Sequence, residues 1–146
     1  MMCLSGVRSF LLVLCMLLPA SLLAQDTALQ KAIASGGKTY YRFCSICHGE
    51  NAKGDGPYVS NLRSSPPDLT LISATRNGTF PWEDLYAVIS GDDVPSAHGS
   101  REMPAWGQQF DLRFWNKQQS QFADVIVNGR IFELMLYLQS IQINEP

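Results

Sequence analysis

Cysteine is scarce in this chain. Of its four cysteines, Cys3 and Cys15 lie in an N-terminal segment that export would remove, which leaves Cys44 and Cys47 alone. Two thiols three residues apart cannot build the disulfide framework on which small exported domains often depend. Charge of one sign is lacking too, with 11 Lys and Arg against 13 Asp and Glu and a formal net charge of −2. That balance excludes a basic stripe for nucleic acid and a polybasic patch for a membrane surface. Long hydrophobic runs are absent, since the apolar stretch from Phe10 to Leu18 is too short to span a bilayer. Glycine-rich nucleotide loops of the Rossmann or P-loop kind do not occur. No internal repeat is visible, and nothing reads as a strand pair.

What the N-terminus does contain is ordered. Arg8 precedes the Phe10 to Leu18 run, Pro19 breaks it, and Leu22-Leu23-Ala24 closes the segment. A charged, an apolar and a small-residue region in that order predict a signal peptide over residues 1–24, with cleavage after Ala24. The mature chain then runs from Gln25 to Pro146 as one domain and is expected in a bacterial periplasm, with no stable membrane span. An uncleaved anchor is the competing reading, because Leu22 is larger than the usual residue three before a cut. Loss of Arg8 leaves ten basic residues against thirteen acidic ones, about minus three for the polypeptide.

Helical periodicity dominates the rest. Leu29, Ile33, Gly36, Tyr40 and Phe43 recur at spacings of three and four, predicting a helix from near Thr27 to Phe43. Gly36 and Gly37 each cost on the order of 1 kcal/mol inside a helix. A packing reason explains them: a bare Gly36, with the flat Tyr40 one turn later, lets another helix cross closely. A second helix is expected from about Phe80 to Ser90, capped by Thr79 and ended by Gly91, with Trp82, Leu85, Tyr86 and Ile89 on its apolar stripe. A last helix is expected over Asp124 to Gln142, with Val127, Ile131, Leu134, Leu138 and Ile141 on one face. Asn128-Gly129 weakens that assignment and leaves open a start at Arg130. Glycine and proline clusters at Gly49 to Pro57 and Ser65 to Thr70 read as turns with interspersed Tyr58, Leu62, Leu69, Leu71 and Ile72. A long ordered loop of that kind needs an apolar object to wrap.

Cys44-Ser45-Ile46-Cys47-His48 supplies the chemistry. Two thiols at this spacing can add to the two vinyl groups along one porphyrin edge, and the adjacent imidazole is then delivered to the iron as proximal ligand. A Cys44 to Cys47 disulfide would leave His48 without a task. A thioredoxin-like pair expects a preceding strand, whereas helix is predicted upstream. Zinc needs four ligands, and outside the motif the mature chain offers only His98 and carboxylates. One covalently attached haem is therefore the cofactor expected.

Met103, in Arg101-Glu102-Met103-Pro104-Ala105-Trp106-Gly107, is the candidate sixth ligand. A thioether is a soft neutral donor that raises the haem potential when paired with histidine, and Pro104 stiffens the chain beside it. Met135, the other mature methionine, falls amid an apolar helix and reads as core. His98 competes: it can hydrogen-bond the loop or contact a propionate, be merely exposed, or replace Met103 as ligand. Phe110, Phe114 and Trp115, in the polar stretch Gln108 to Gln121, either cover a haem edge or pack locally.

Gly36, Tyr40, Cys-Ser-Ile-Cys-His-Gly, a Met-Pro pair about fifty-five residues on and a terminal helix with Leu134 and Tyr137-Leu138 resemble a bacterial class I c-type cytochrome over nearly the whole mature chain. Gly54-Asp55-Gly56-Pro57 with Pro67-Asp68-Leu69-Thr70 is similar to loops of monohaem periplasmic cytochromes and of cytochrome domains in respiratory oxidoreductases. The resemblance implies an all-α class I cytochrome c fold in which the first and last helices cross near Gly36 and Tyr137. It implies His48 and Met103 on opposite haem faces, and one-electron transfer through the porphyrin edge near the thioethers. The protein is then an electron carrier or electron-transfer subunit rather than an enzyme, docking on a dehydrogenase, an oxidase or another cytochrome. A ligand-binding or peroxidase-like haem protein with an open or displaceable distal site is the alternative function, and haem-free export domain a third.

Overall fold

A computed structural model describes residues 19–92, 103–111 and 122–143, with side chains from Thr27 onward. His98, the residues before Pro19, and Phe114 and Trp115 lie outside the described residues. The chain divides into two units, Met1–Lys31 and Ala32–Pro146, and every residue of the candidate site belongs to the second. Within the first unit the described residues are helical from Pro19 onward. No helix among the described residues is long and apolar enough to cross a membrane.

The described structure is helical, without a strand, as expected. Helix α1 spans Pro19–Phe43, α2 Ser45–His48, α3 Trp82–Ser90, α4 Trp106–Gln109 and α5 Ala123–Ser140. Three single 3-10 turns, at Val59–Asn61, Leu69–Leu71 and Ala74–Arg76, punctuate the long segment between α2 and α3. Helix α1 begins earlier than the predicted Thr27. The extra residues include Ala20, Leu22, Leu23, Ala24 and Gln25, good helix formers whose contribution an amphipathic periodicity does not register, and Pro19 is tolerated at the first helical position.

Helix α3 departs from expectation at its start. It begins at Trp82 behind Pro81, and no side chain caps it. Thr79 stands too far upstream to reach the first free amides, so Glu83 and Asp84 in the first turn complement the helix dipole instead. Its predicted stripe holds: Ile89 is buried, with Trp82, Leu85 and Tyr86 packed against the same core.

Helix α5 runs unbroken through Asn128-Gly129. Tyr86 Oη donates to Asn128 Oδ1 at 2.6 Å, and Gly129 faces open space, so neither residue is asked to turn the chain. Val127, Ile131, Leu134 and Leu138 are buried on the predicted face, Ile141 is partly buried, and Met135 is core.

The expected close crossing is between α1 and α5. A Cβ at Gly36 would overlap the Glu133 carbonyl oxygen, so only glycine allows the two backbones this near. One residue on, Gly37 lies against the Tyr137 ring, and the Tyr40 and Tyr137 rings are 5.2 Å apart. Ser35 Oγ donates to Glu133 Oε2 at the same place. Tyr40, at 1 % exposure, is thereby locked between the last helix and the motif.

Candidate haem site

The motif grows directly out of α1. Cys44 N–H donates to Tyr40 O at 2.8 Å, continuing the helical pattern, and both Cys47 and His48 N–H donate back to Cys44 O. Cys44 and Cys47 thus sit one turn apart, the arrangement a single porphyrin edge requires. They are not joined in a disulfide. Cys44 is buried and Cys47 half-buried.

The glycine-rich loop then doubles back over the motif. Gly54 N–H donates to His48 O, Gly56 N–H to Cys47 O and Tyr58 N–H to Ile46 O, all within 3.1 Å. These bonds satisfy carbonyls that a short helix otherwise leaves orphaned. Gly56 has to be glycine here, since a Cβ would lie 2.5 Å from Ile46 O and 2.6 Å from Cys47 C. Tyr40 Oη donates to Gly49 O at 2.6 Å, pinning the residue after His48 from the opposite side. Leu69 N–H donates to Ala52 O, which brings the Pro67-Asp68-Leu69 segment onto the same wall.

Two neighbouring cavities, of about 270 and about 210 Å³, meet at this wall. Cys44, His48, Pro67 and Met103 border both. Leu69, Ile72, Leu85, Val88, Leu134 and Leu138 make the larger one apolar. Phe43, Cys47, Pro104 and Trp106 help close the smaller. All four sequence-predicted site residues line the smaller cavity, and Cys44, His48 and Met103 line the larger one as well.

The chemistry of the donor set suits a haem. His48 Nδ1 is buried without a hydrogen-bond partner, and desolvation holds the imidazole pKa below its ordinary value, so the neutral form that can donate a lone pair persists. Burial, reinforced by the nearby Cys47 sulfur, pushes the Cys44 thiol up to about 12. A thiol so reluctant to ionise is a poor redox-active thiolate or zinc ligand. Desolvation also raises the Tyr40 pKa, so its hydroxyl remains a donor to Gly49 O.

Met103 lies half-buried against the hydrophobic core. Beyond it, α4 presents Trp106 to Phe43 at 5.6 Å between ring centroids, and Phe110 to Phe43 at 5.4 Å. Phe110 is fully buried, with the Arg130 guanidinium over its ring, so it packs locally rather than forming a surface patch. Two polar residues at the larger cavity were not singled out from sequence: Arg76 and Asp84. The Ala74–Arg76 turn has no periodic signal, and Asp84 reads as an ordinary first-turn acid.

A family model described as "Cytochrome C oxidase, cbb3-type, subunit III" matches residues 31–113. No curated protein and no solved structure matches the chain. The matched span covers the α1 crossing residues, the Cys44 to His48 motif and Met103, and it takes in more than half of the chain. The chain belongs to this family of class I c-type cytochromes, whose domains carry covalently bound haem and transfer electrons.

Proposed function

We propose that the chain holds one haem through thioethers from Cys44 and Cys47, with His48 and Met103 as its two axial ligands, and relays single electrons between respiratory redox partners. The observation that carries this reading is the shared lining: His48 and Met103 both border the two cavities that meet at Cys44. Cys44 and Cys47 would hold the haem by addition of each S–H across one vinyl group, a step that would consume no oxidant. A c-type haem, once bound, supplies one-electron chemistry at iron, with a potential set by its ligands and burial.

The chain's own residues set the conditions. His48, kept neutral by desolvation, offers a lone pair. Met103 offers an uncharged sulfur, which favours the reduced state relative to a second imidazole. Leu69, Ile72, Leu85 and Leu138 exclude water. Ile46 and Tyr58, 54 % and 47 % exposed, flank Cys47 at the surface and form the edge that a transient partner approaches. With His48 and Met103 both holding the iron, substrate would have no direct access to the metal.

The family description names a subunit of an oxidase, which supports partners within a respiratory complex. Location in the periplasm rests on Arg8, the Phe10 to Leu18 run and Ala24. N-terminal sequencing of the natural protein is expected to give Gln25; recovery of Met1 on membrane-bound protein would replace the cleaved signal with an anchor. The decisive test of function is carbon monoxide binding to the reduced, haem-loaded protein at neutral pH. Poor binding is expected of the wild type and ready binding of Met103→Ala. Rapid stoichiometric binding by the wild type would instead assign the protein to the ligand-binding or peroxidase-like class.

A further inference from the structure

Gln142 lies just past the end of α5 and outside the span matched by the family model. Its side-chain amide makes three hydrogen bonds. Nε2 donates to Leu69 O at 2.7 Å and to Leu138 O at 2.8 Å, while Oε1 accepts from Ser73 N–H at 2.8 Å. The partners fix the orientation of the amide, because two carbonyls can only accept and a backbone N–H can only donate. Ile143 N–H adds a bond to Thr70 O at 2.9 Å. Both amide protons and the oxygen are thus used, and the three contacts join separate pieces of the molecule.

Those pieces are walls of one cavity. Leu69 and Ile72, on the turn that Gln142 grips, line the larger cavity beside Cys44 and His48, and so does Leu138 on α5. The turn's other bonds run elsewhere: Leu69 N–H donates to Ala52 O in the motif loop, and Asp68 Oδ1 accepts from Thr70 N–H and Thr70 Oγ1, which shapes the turn locally, so the Gln142 amide is what hydrogen-bonds it to the Leu138 carbonyl of α5. We infer that Gln142 is a positioning residue for electron transfer, clasping the Leu69 to Ser73 wall onto α5 and so keeping water away from the haem pocket. The inference rests on the haem reading proposed above.

The test uses the full, haem-loaded chain. Gln142→Glu preserves shape but turns two donors into acceptors facing two carbonyls; Gln142→Met preserves length and removes all three bonds. Both are expected to lower the midpoint potential and to speed carbon monoxide association. In Gln142→Met, exchange of the Ser73 amide is expected to rise about fivefold, the consequence of one lost hydrogen bond of usual net strength. Ser35→Ala, which loses its bond to Glu133 at the helix crossing, serves as a control for general destabilisation. It is expected to melt earlier while leaving potential and association rate unchanged. An unchanged potential in both Gln142 variants, or an equal change in Ser35→Ala, would overturn the positioning role. Rapid carbon monoxide uptake by the wild type would sink Met103 ligation alone, since Ser73 exchange and the potential still decide the clasp.

Discussion

The His48 side and the Met103 side of the candidate haem site are built differently. On the His48 side the backbone does the holding: α1 runs into the motif, and the carbonyls of Ile46, Cys47 and His48 each receive an N–H from the loop ending at Tyr58. Gly56 lies against the motif's backbone, and Tyr40 braces Gly49 from behind. On the Met103 side the described contacts with other elements are close packing rather than main-chain hydrogen bonds. Trp106 and Phe110 pack on Phe43, and Gly107 seats α4 against Ser90 at the end of α3, where a Cβ would lie 2.7 Å from Ser90 O. A wall tied by main-chain hydrogen bonds is specified by its own short sequence. One tied by packing depends on distant elements and yields more readily when they change.

The largest effect expected is on the motif itself. Cys44→Ser and Cys47→Ser each remove one thioether, and the double substitution should abolish covalent attachment; intact mass after maturation in a host with c-type haem machinery reads the outcome. Persistence of covalent haem in the double variant would break the account of the His48 side. Next, Gly56→Ala and Gly107→Ala set the two walls against each other. Each forces a Cβ into backbone, at a cost of roughly 1–3 kcal/mol by analogy with overpacked sites. Urea unfolding should show both losses, but only Gly107→Ala should speed carbon monoxide binding, because it displaces α4 beside Met103. Equal acceleration by Gly56→Ala would mean that the His48 wall is no stiffer than its counterpart.

A smaller effect is expected from Tyr40→Phe. It removes the shorter of two hydrogen bonds to the buried Gly49 O, which keeps the Ala52 N–H at 3.2 Å, costing about 0.5–1.5 kcal/mol in unfolding free energy. The low-spin spectrum should persist, since the loop bonds to Cys47 and His48 remain. Smallest is a pH effect in the haem-free chain. The Cys44 thiol is raised to about 12 by burial and then by Cys47, so the folded state retains a proton that the unfolded state releases near 9. That contribution to stability is complete below about 9 and is lost as pH rises toward 12. Denaturant midpoints of the haem-free protein should therefore fall over that range, and less steeply in Cys44→Ser.

Chemistry that resides in adjacent residues was readable without any fold. Cys44-Ser45-Ile46-Cys47-His48 names a cofactor because two thiols one helical turn apart match one porphyrin edge and the next residue carries an imidazole for the iron. The core face of α5 and the crossing glycine Gly36 were equally readable, since helical periodicity and an otherwise costly glycine each have a local physical meaning. The start of α3 differs from the local signal because Thr79 is a good cap only at the right distance, and Pro81 takes the cap position before Trp82. Asn128-Gly129 looked like a break because propensity counts against it, yet burial of Val127 and Ile131 on either side outweighs that cost.

The sequence by itself determined what binds: two cysteines, a histidine, and helices with apolar faces to enclose a flat apolar cofactor. Only the tertiary structure decided what stands around them. The lining of the same two cavities by Met103 and His48, the placement of Arg76 and Asp84 at the larger one, and the bonds of Gln142 to its wall join residues far apart in the chain. No local pattern encodes such meetings, because they follow from how the packed helices and loops are oriented, and each contact becomes favourable only after the others have been made.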